Sequence, residues 1–144
     1  MKSSLLAVVL SLGSIGLAGQ AAAACASPST RLNQSQLVNL VAGKTVCVPN
    51  GTEWQWQELH NGSNQQGGTL IDYKRGPGHA VDPSETVGSW SVSNKGGNAT
   101  IAHNYGSGGT FTYSVWDNNN NGTYSFCSGA QEIVATVKTT QTGC

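Results

Sequence analysis

The chain has 144 residues, a formal net charge of zero and only 10% charged side chains. Those figures exclude a basic face able to neutralise phosphates, and with it a nucleic-acid binder. They also exclude a Lys/Arg-rich amphipathic helix lying on a membrane surface.

Residues 1–24 read as a secretory signal peptide. Lys2 supplies the positive start, residues 5–17 an apolar stretch, and Ala22-Ala23-Ala24 a small-residue cleavage site. The stretch is too short for a membrane span. Its alanine-rich end resembles a Gram-negative bacterial export signal, so the expected address is periplasmic or secreted. The mature part, 25–144, has the length of one domain.

Four cysteines, Cys25, Cys47, Cys127 and Cys144, imply two disulfides in an oxidising compartment, with three possible connectivities. Cys47–Cys127 with Cys25–Cys144 is the expected pairing, the second joining the mature termini. Cys25 has another reading, because a cysteine directly after the cleavage site can carry a lipid. Ala22 stands where a lipoprotein signal normally has leucine, and lipidation would leave an odd number of thiols. Lipidation is the one route to a membrane that the sequence offers.

Residues 33–43 form the expected helix. Asn33 and Gln36 make a capping box, Leu37, Leu40 and Val41 share a face, and Gly43 ends it. The rest reads as strand, turn, strand. Expected strands cover 44–48 (KTVCV), 53–60 (EWQWQELH), 69–75 (TLIDYKR), 89–93 (SWSVS), 99–105 (ATIAHNY), 110–116 (TFTYSVW), 122–127 (GTYSFC) and 131–139. Gly/Asn/Ser clusters of hairpin length separate most of them, and a loop with two prolines fills 76–87. Eight short strands at regular spacing predict an all-β, antiparallel up-and-down meander. Closure into a barrel removes the edge strands. One short N-terminal helix would plug an end.

Alternation assigns faces. Ala99, Ile101, His103 and Tyr105 share one; so do Phe111, Tyr113 and Val115. Trp54 and Trp56 share theirs with Glu58 and His60. Trp116 alternates outward, toward a contact surface or under a covering loop.

Strand count, barrel size, an end-capping helix and the triplet Gly88-Ser89-Trp90 together resemble the calycin group of lipocalin- and avidin-type barrels. The triplet is similar to that group's G-x-W signature, though it falls on the fourth expected strand rather than the first. The resemblance implies a candidate pocket in the barrel mouth.

Candidate chemistry centres on Glu58 and His60, followed by Asp72, Lys74, Arg75, His79 and Asp82. A carboxylate beside a histidine could act as a general acid–base pair. The structural reading is the stronger one: Asp72, Lys74 and Arg75 form cross-strand ion pairs on the wet face, and Glu58 or His60 anchors the loop that follows. His60, His79 and His103 come from separate segments without metal-ligand spacing, so no metal or cofactor is expected. There is no G-x-S-x-G elbow and no spare thiol to serve as a nucleophile. The leading expectation is therefore a secreted binding module. It would hold a small apolar or amphipathic ligand in the barrel, or a protein partner at its loops. Trp54, Trp56, Trp90 and Tyr113 would form the wall, with Glu58 and His60 orienting the ligand. The alternatives are an inhibitor or envelope interaction protein acting through 76–87, and an enzyme using Glu58 and His60.

Overall fold

The computed structural model describes residues 25–26, 29–63, 65–74 and 84–144. The signal-peptide reading for 1–24, together with Arg75, His79, Asp82 and most of the 76–87 loop, lies outside the described residues.

Among the described residues nine strands and one α-helix follow in chain order: β1 (Thr30–Arg31), α1 (Gln34–Val41), β2 (Thr45–Asn50), β3 (Glu53–Asn61), β4 (Gly67–Asp72), β5 (Glu85–Lys95), β6 (Asn98–Asn104), β7 (Thr110–Asp117), β8 (Thr123–Ser128) and β9 (Gln131–Lys138). Each strand from β2 to β8 pairs antiparallel with the next through β9. Pairing of β9 with β2 closes an eight-stranded barrel. This architecture is compatible with a calycin-like barrel. Strand β1 lies outside the ring and pairs with β7, Arg31 opposite Trp116. The helix is thus internal to the chain, preceded by a strand, and not the N-terminal element.

Local chemistry explains the turns. Lys95 pairs with Asn98 across Gly96-Gly97. Both glycines have positive φ, 61° and 83°. That is the backbone of a two-residue primed turn, whose twist matches antiparallel strands. The helix begins as its sequence predicts. Gln36 N–H donates to Asn33 Oδ1, and Asn33 N–H to Gln36 Oε1, both at 2.9 Å. Gly43 follows with φ 71°. Its N–H donates to His60 O at 2.8 Å, fixing the helix exit to β3.

The helix seals one end of the barrel. Leu37 and Val41 are fully buried against β5 and β6. They join Leu70, Trp90, Val92, Ala99, Ile101 and Val115 in the core. Two glycines make this packing possible. A Cβ on Gly68 would stand 1.9 Å from Asn61 O, and one on Gly88 would stand 2.1 Å from Asn104 O. Gly88, first residue of the Gly88-Ser89-Trp90 triplet, therefore admits a close backbone approach.

The disulfides are Cys25–Cys127 and Cys47–Cys144, which corrects the expected pairing. Cys47 lies opposite Thr136 on β9, whereas Cys127 lies opposite Glu132. Four residues along β9 and two strand spacings separate them, roughly 16 Å. A disulfide spans about 7 Å between Cα atoms at most. The C-terminal tail also turns back over the outside of β2 and β3 instead of meeting the N-terminus. Thr45 Oγ1 donates to Thr140 O at 2.6 Å, Tyr73 OH to Gln141 O at 2.6 Å, and Cys144 N–H to Gln57 Oε1 at 2.8 Å. Two disulfides fit an oxidising environment, extracellular or periplasmic. The Cys25 sulfur is held in one of them.

Candidate functional site

The end of the barrel opposite the helix is open. A cavity of about 450 Å³ lies there, walled by Trp56, Val87, Tyr105, Phe111 and Tyr113. Gln55, Glu58, Asp72 and Lys74 supply its polar groups. Phe111 is 48% exposed and Trp56 38%, large aromatic surfaces left wet at the rim. Below the cavity the interior narrows to about 10 Å³ between Val46, Val48, His103, Phe126 and Ile133, space for about one water. The lower half of the barrel is packed and the upper half is not.

Sheet register decides which side chains reach this cavity. A β-bulge between β2 and β3 pairs Val48 with Trp56 but Pro49 with Trp54, leaving Gln55 as the extra residue. One extra residue reverses the alternation. Trp56 stays on the inner face with Glu58, and Gln55 also lines the cavity. Trp54 leaves that face and stacks beneath Lys138, whose Nζ is 4.7 Å from the ring centroid. The shared face expected for Trp54 and Trp56 is thus broken by the bulge.

Glu58 is the polar centre. Tyr105 OH donates to its carboxylate, 2.8 Å from Oε1 and 2.9 Å from Oε2. Across the barrel, His103 Nδ1 stands 3.8 Å from Glu58 Oε2. His103 Nε2 in turn meets His60 Nε2 at 3.0 Å, and His60 Nδ1 lies 3.3 Å from the Glu58 backbone carbonyl. That carbonyl can only accept, so His60 carries its proton on Nδ1. A neutral His60 then accepts at Nε2, and His103 must donate from Nε2. This leaves His103 Nδ1 bare and directed at the carboxyl group.

Burial sets the charges. It is the main cause raising Glu58 from 4.5 to about 7; Tyr105's hydrogen bond and Lys74 oppose the rise, and Asp72 adds to it. Burial also holds His103 down to about 4 and pushes His60, which has the His103 charge as a further opponent, well below its usual value. Burial first, then the Glu58 carboxylate, raise the Tyr105 phenol far above its ordinary range. At neutral pH both imidazoles are uncharged, so the 3.8 Å approach of His103 to Glu58 is not an ion pair.

The residues singled out from the sequence separate into distinct layers. Trp56, Glu58 and Tyr113 face the cavity. His60 and Trp90 lie beneath it, 0% and 2% exposed, with ring centroids 5.4 Å apart. Trp90 Nε1 donates to Asn61 O at 3.2 Å. His60 does not touch the Glu58 carboxyl; His103 stands between them. Phe111, Val87 and Gln55, which sequence reasoning did not nominate, complete the rim. The signal for Phe111 was present in its alternation with Tyr113 and Val115. At the rim Lys74 and Asp72, two residues apart in one segment, form an ion pair that borders the cavity.

Among the described residues no group of three or more His, Cys, Asp or Glu is arranged to hold a metal. Compared with known proteins, the chain matches no family model, no curated protein and no solved structure.

Proposed function

We propose that this protein is a binding module exported from the cytoplasm, which takes up one small amphipathic ligand in the open end of its barrel. The ligand's apolar part lies against Trp56, Phe111 and Tyr113, and its polar part reaches Glu58 and Tyr105. The observation that carries this reading is the unfilled 450 Å³ cavity with wet aromatic rings at its rim and one hydrogen-bonded carboxylate at its base. A concave, mostly apolar site with few convergent polar groups is the usual form of a small-molecule pocket. Exposed aromatics in such a place favour binding over stability.

Catalysis by Glu58 and His60 has less support. His60 is sealed below the cavity floor and presents no ring nitrogen to a bound molecule.

Titration with the neutral fluorophore N-phenyl-1-naphthylamine tests the reading. Saturable 1:1 binding with a change in tryptophan emission is expected, and Trp56→Ala should weaken it about tenfold or more. A linear, unsaturable response, or an affinity indifferent to Trp56, would refute it.

A further inference from the structure

We infer that the ligand of this cavity is a small organic cation, an alkyl- or aralkylammonium whose head sits on Glu58 and whose body lies against Trp56 and Phe111. The inference rests on the binding reading above and specifies its chemistry.

Three observations carry it. First, the Glu58 side chain is only 13% exposed, yet among the described residues a single hydroxyl, that of Tyr105, hydrogen-bonds to it. A carboxylate has about four lone-pair positions, so most of its accepting capacity is unused. Second, the described lining of the cavity has a surplus of acid. Of its described charged groups, Glu58 and Asp72 oppose Lys74 alone, and Lys74 is already paired with Asp72. Third, the walls are rings. Trp56, Tyr105, Tyr113 and Phe111 line the cavity, and the negative face of an aromatic ring attracts a cation. A bound anion would meet Glu58 as a like charge, and a wholly apolar body would strip its water and return nothing. An ammonium satisfies both the carboxylate and the rings.

Nearby groups make the carboxylate the titrating element of this site. From β3 it is faced by His60 beneath, from β6 and its end by His103 and Tyr105, and from β7 by Tyr113. Asp72 and Lys74 at the end of β4 complete the set, and Glu85 on β5 acts on Lys74. His103 and His60 are uncharged near neutrality. Glu58, held at about 7, must ionise to receive the cation. Binding therefore releases protons, and affinity rises as the pH increases through about 7.

The test compares benzyltrimethylammonium, a cation that does not titrate, with neopentylbenzene, its neutral isostere with carbon in place of nitrogen. Each displaces N-phenyl-1-naphthylamine from the full mature chain. At pH 8 the cation should bind on the order of tenfold more tightly than the isostere. Its affinity should fall on the order of tenfold by pH 5.5, while the isostere's is unchanged. Glu58→Gln, which keeps an acceptor for Tyr105, should erase the preference. If the isostere binds as well as the cation at pH 8, or if the preference survives in E58Q, the inference fails while the cavity reading stands. If neither compound displaces the fluorophore, both fail. Should E58Q not fold, the pH profile of the wild-type protein decides alone.

Discussion

The two ends of this barrel are made from the same strands and do opposite things with apolar residues. At the helix end, Leu37, Val41 and Ile101 are fully buried. At the open end, Phe111 and Trp56 keep 48% and 38% of their surface in water. Between them lies a polar layer of Glu58, His103 and His60, in which the two imidazoles are hydrogen-bonded to each other and the carboxylate is only partly satisfied. The sealed end gains stability from burial, roughly 25 cal/mol per Å² of apolar surface. The open end forgoes that gain and keeps a binding surface instead. One sheet can do both because strand pairing, not packing, holds the open rim together.

Breaking the sealed end should produce the largest effect. Leu37→Ala removes a fully buried side chain and leaves a cavity that the helix cannot fill. Its expected cost is about 3 kcal/mol in denaturant unfolding, within the usual span for such truncations. Fluorophore affinity at the mouth should be unchanged at temperatures where the variant remains folded. A loss of binding that parallels the loss of stability would show that the ends are not independent.

The middle layer has a different signature, in pH. The folded pKa of His103, about 4, lies below its unfolded value. The unfolded chain then binds more protons, and stability is lost as pH falls from about 6.5 toward 4. Glu58 acts in the opposite sense. Its folded pKa of about 7 exceeds the unfolded 4.5, so stability is lost as pH rises from 4.5 through 7. The two effects oppose each other between pH 4.5 and 6.5. Glu58→Gln should therefore raise stability on the order of 2 kcal/mol at pH 8. It should also leave a profile that falls steadily on acidification. Unfolding curves at pH 5, 6.5 and 8 distinguish this from a uniform change, which would mean that Glu58 does not titrate as described.

Sequence alone made the sealed end far more legible than the open one. The capping box at Asn33, the alternation in β6 and β7 and the Gly/Asn turns are local, and each located its element to within a few residues. The paired glycine at Gly67-Gly68 read as turn, yet it belongs to β4, because its lack of a side chain admits Asn61 and Trp90. Trp54 followed simple alternation until a bulge, set by pairing with Pro49, turned it outward. Alternation puts His103 on a face with Ile101 and Tyr105, and His60 on a face with Trp56 and Glu58. Their meeting depends on depth across four strands, which alternation does not carry. The disulfide pairing was missed for the same reason. It depends on a tail of Thr, Gln and Gly without periodicity, which finds its place on β2 and β3 by hydrogen bonds.

Phe111 gives the smallest effect on stability and the sharpest contrast between the ends. It alternates inward with Tyr113 and Val115, but it lies at the rim with nearly half its surface in water. Its ring touches Tyr105 edge-on, with centroids 6.0 Å apart. Truncating a residue this exposed creates no enclosed void, so the large cavity cost that applies to Leu37 is absent. Phe111→Ala should change unfolding free energy by about 0.5 kcal/mol or less. The same change removes one wall of the cavity and should weaken N-phenyl-1-naphthylamine about fivefold or more. Leu37→Ala and Phe111→Ala thus exchange roles, one losing stability and keeping binding, the other the reverse. If Phe111→Ala is instead strongly destabilising, its ring is part of the structural core. The rim would then be a packed end rather than a binding surface.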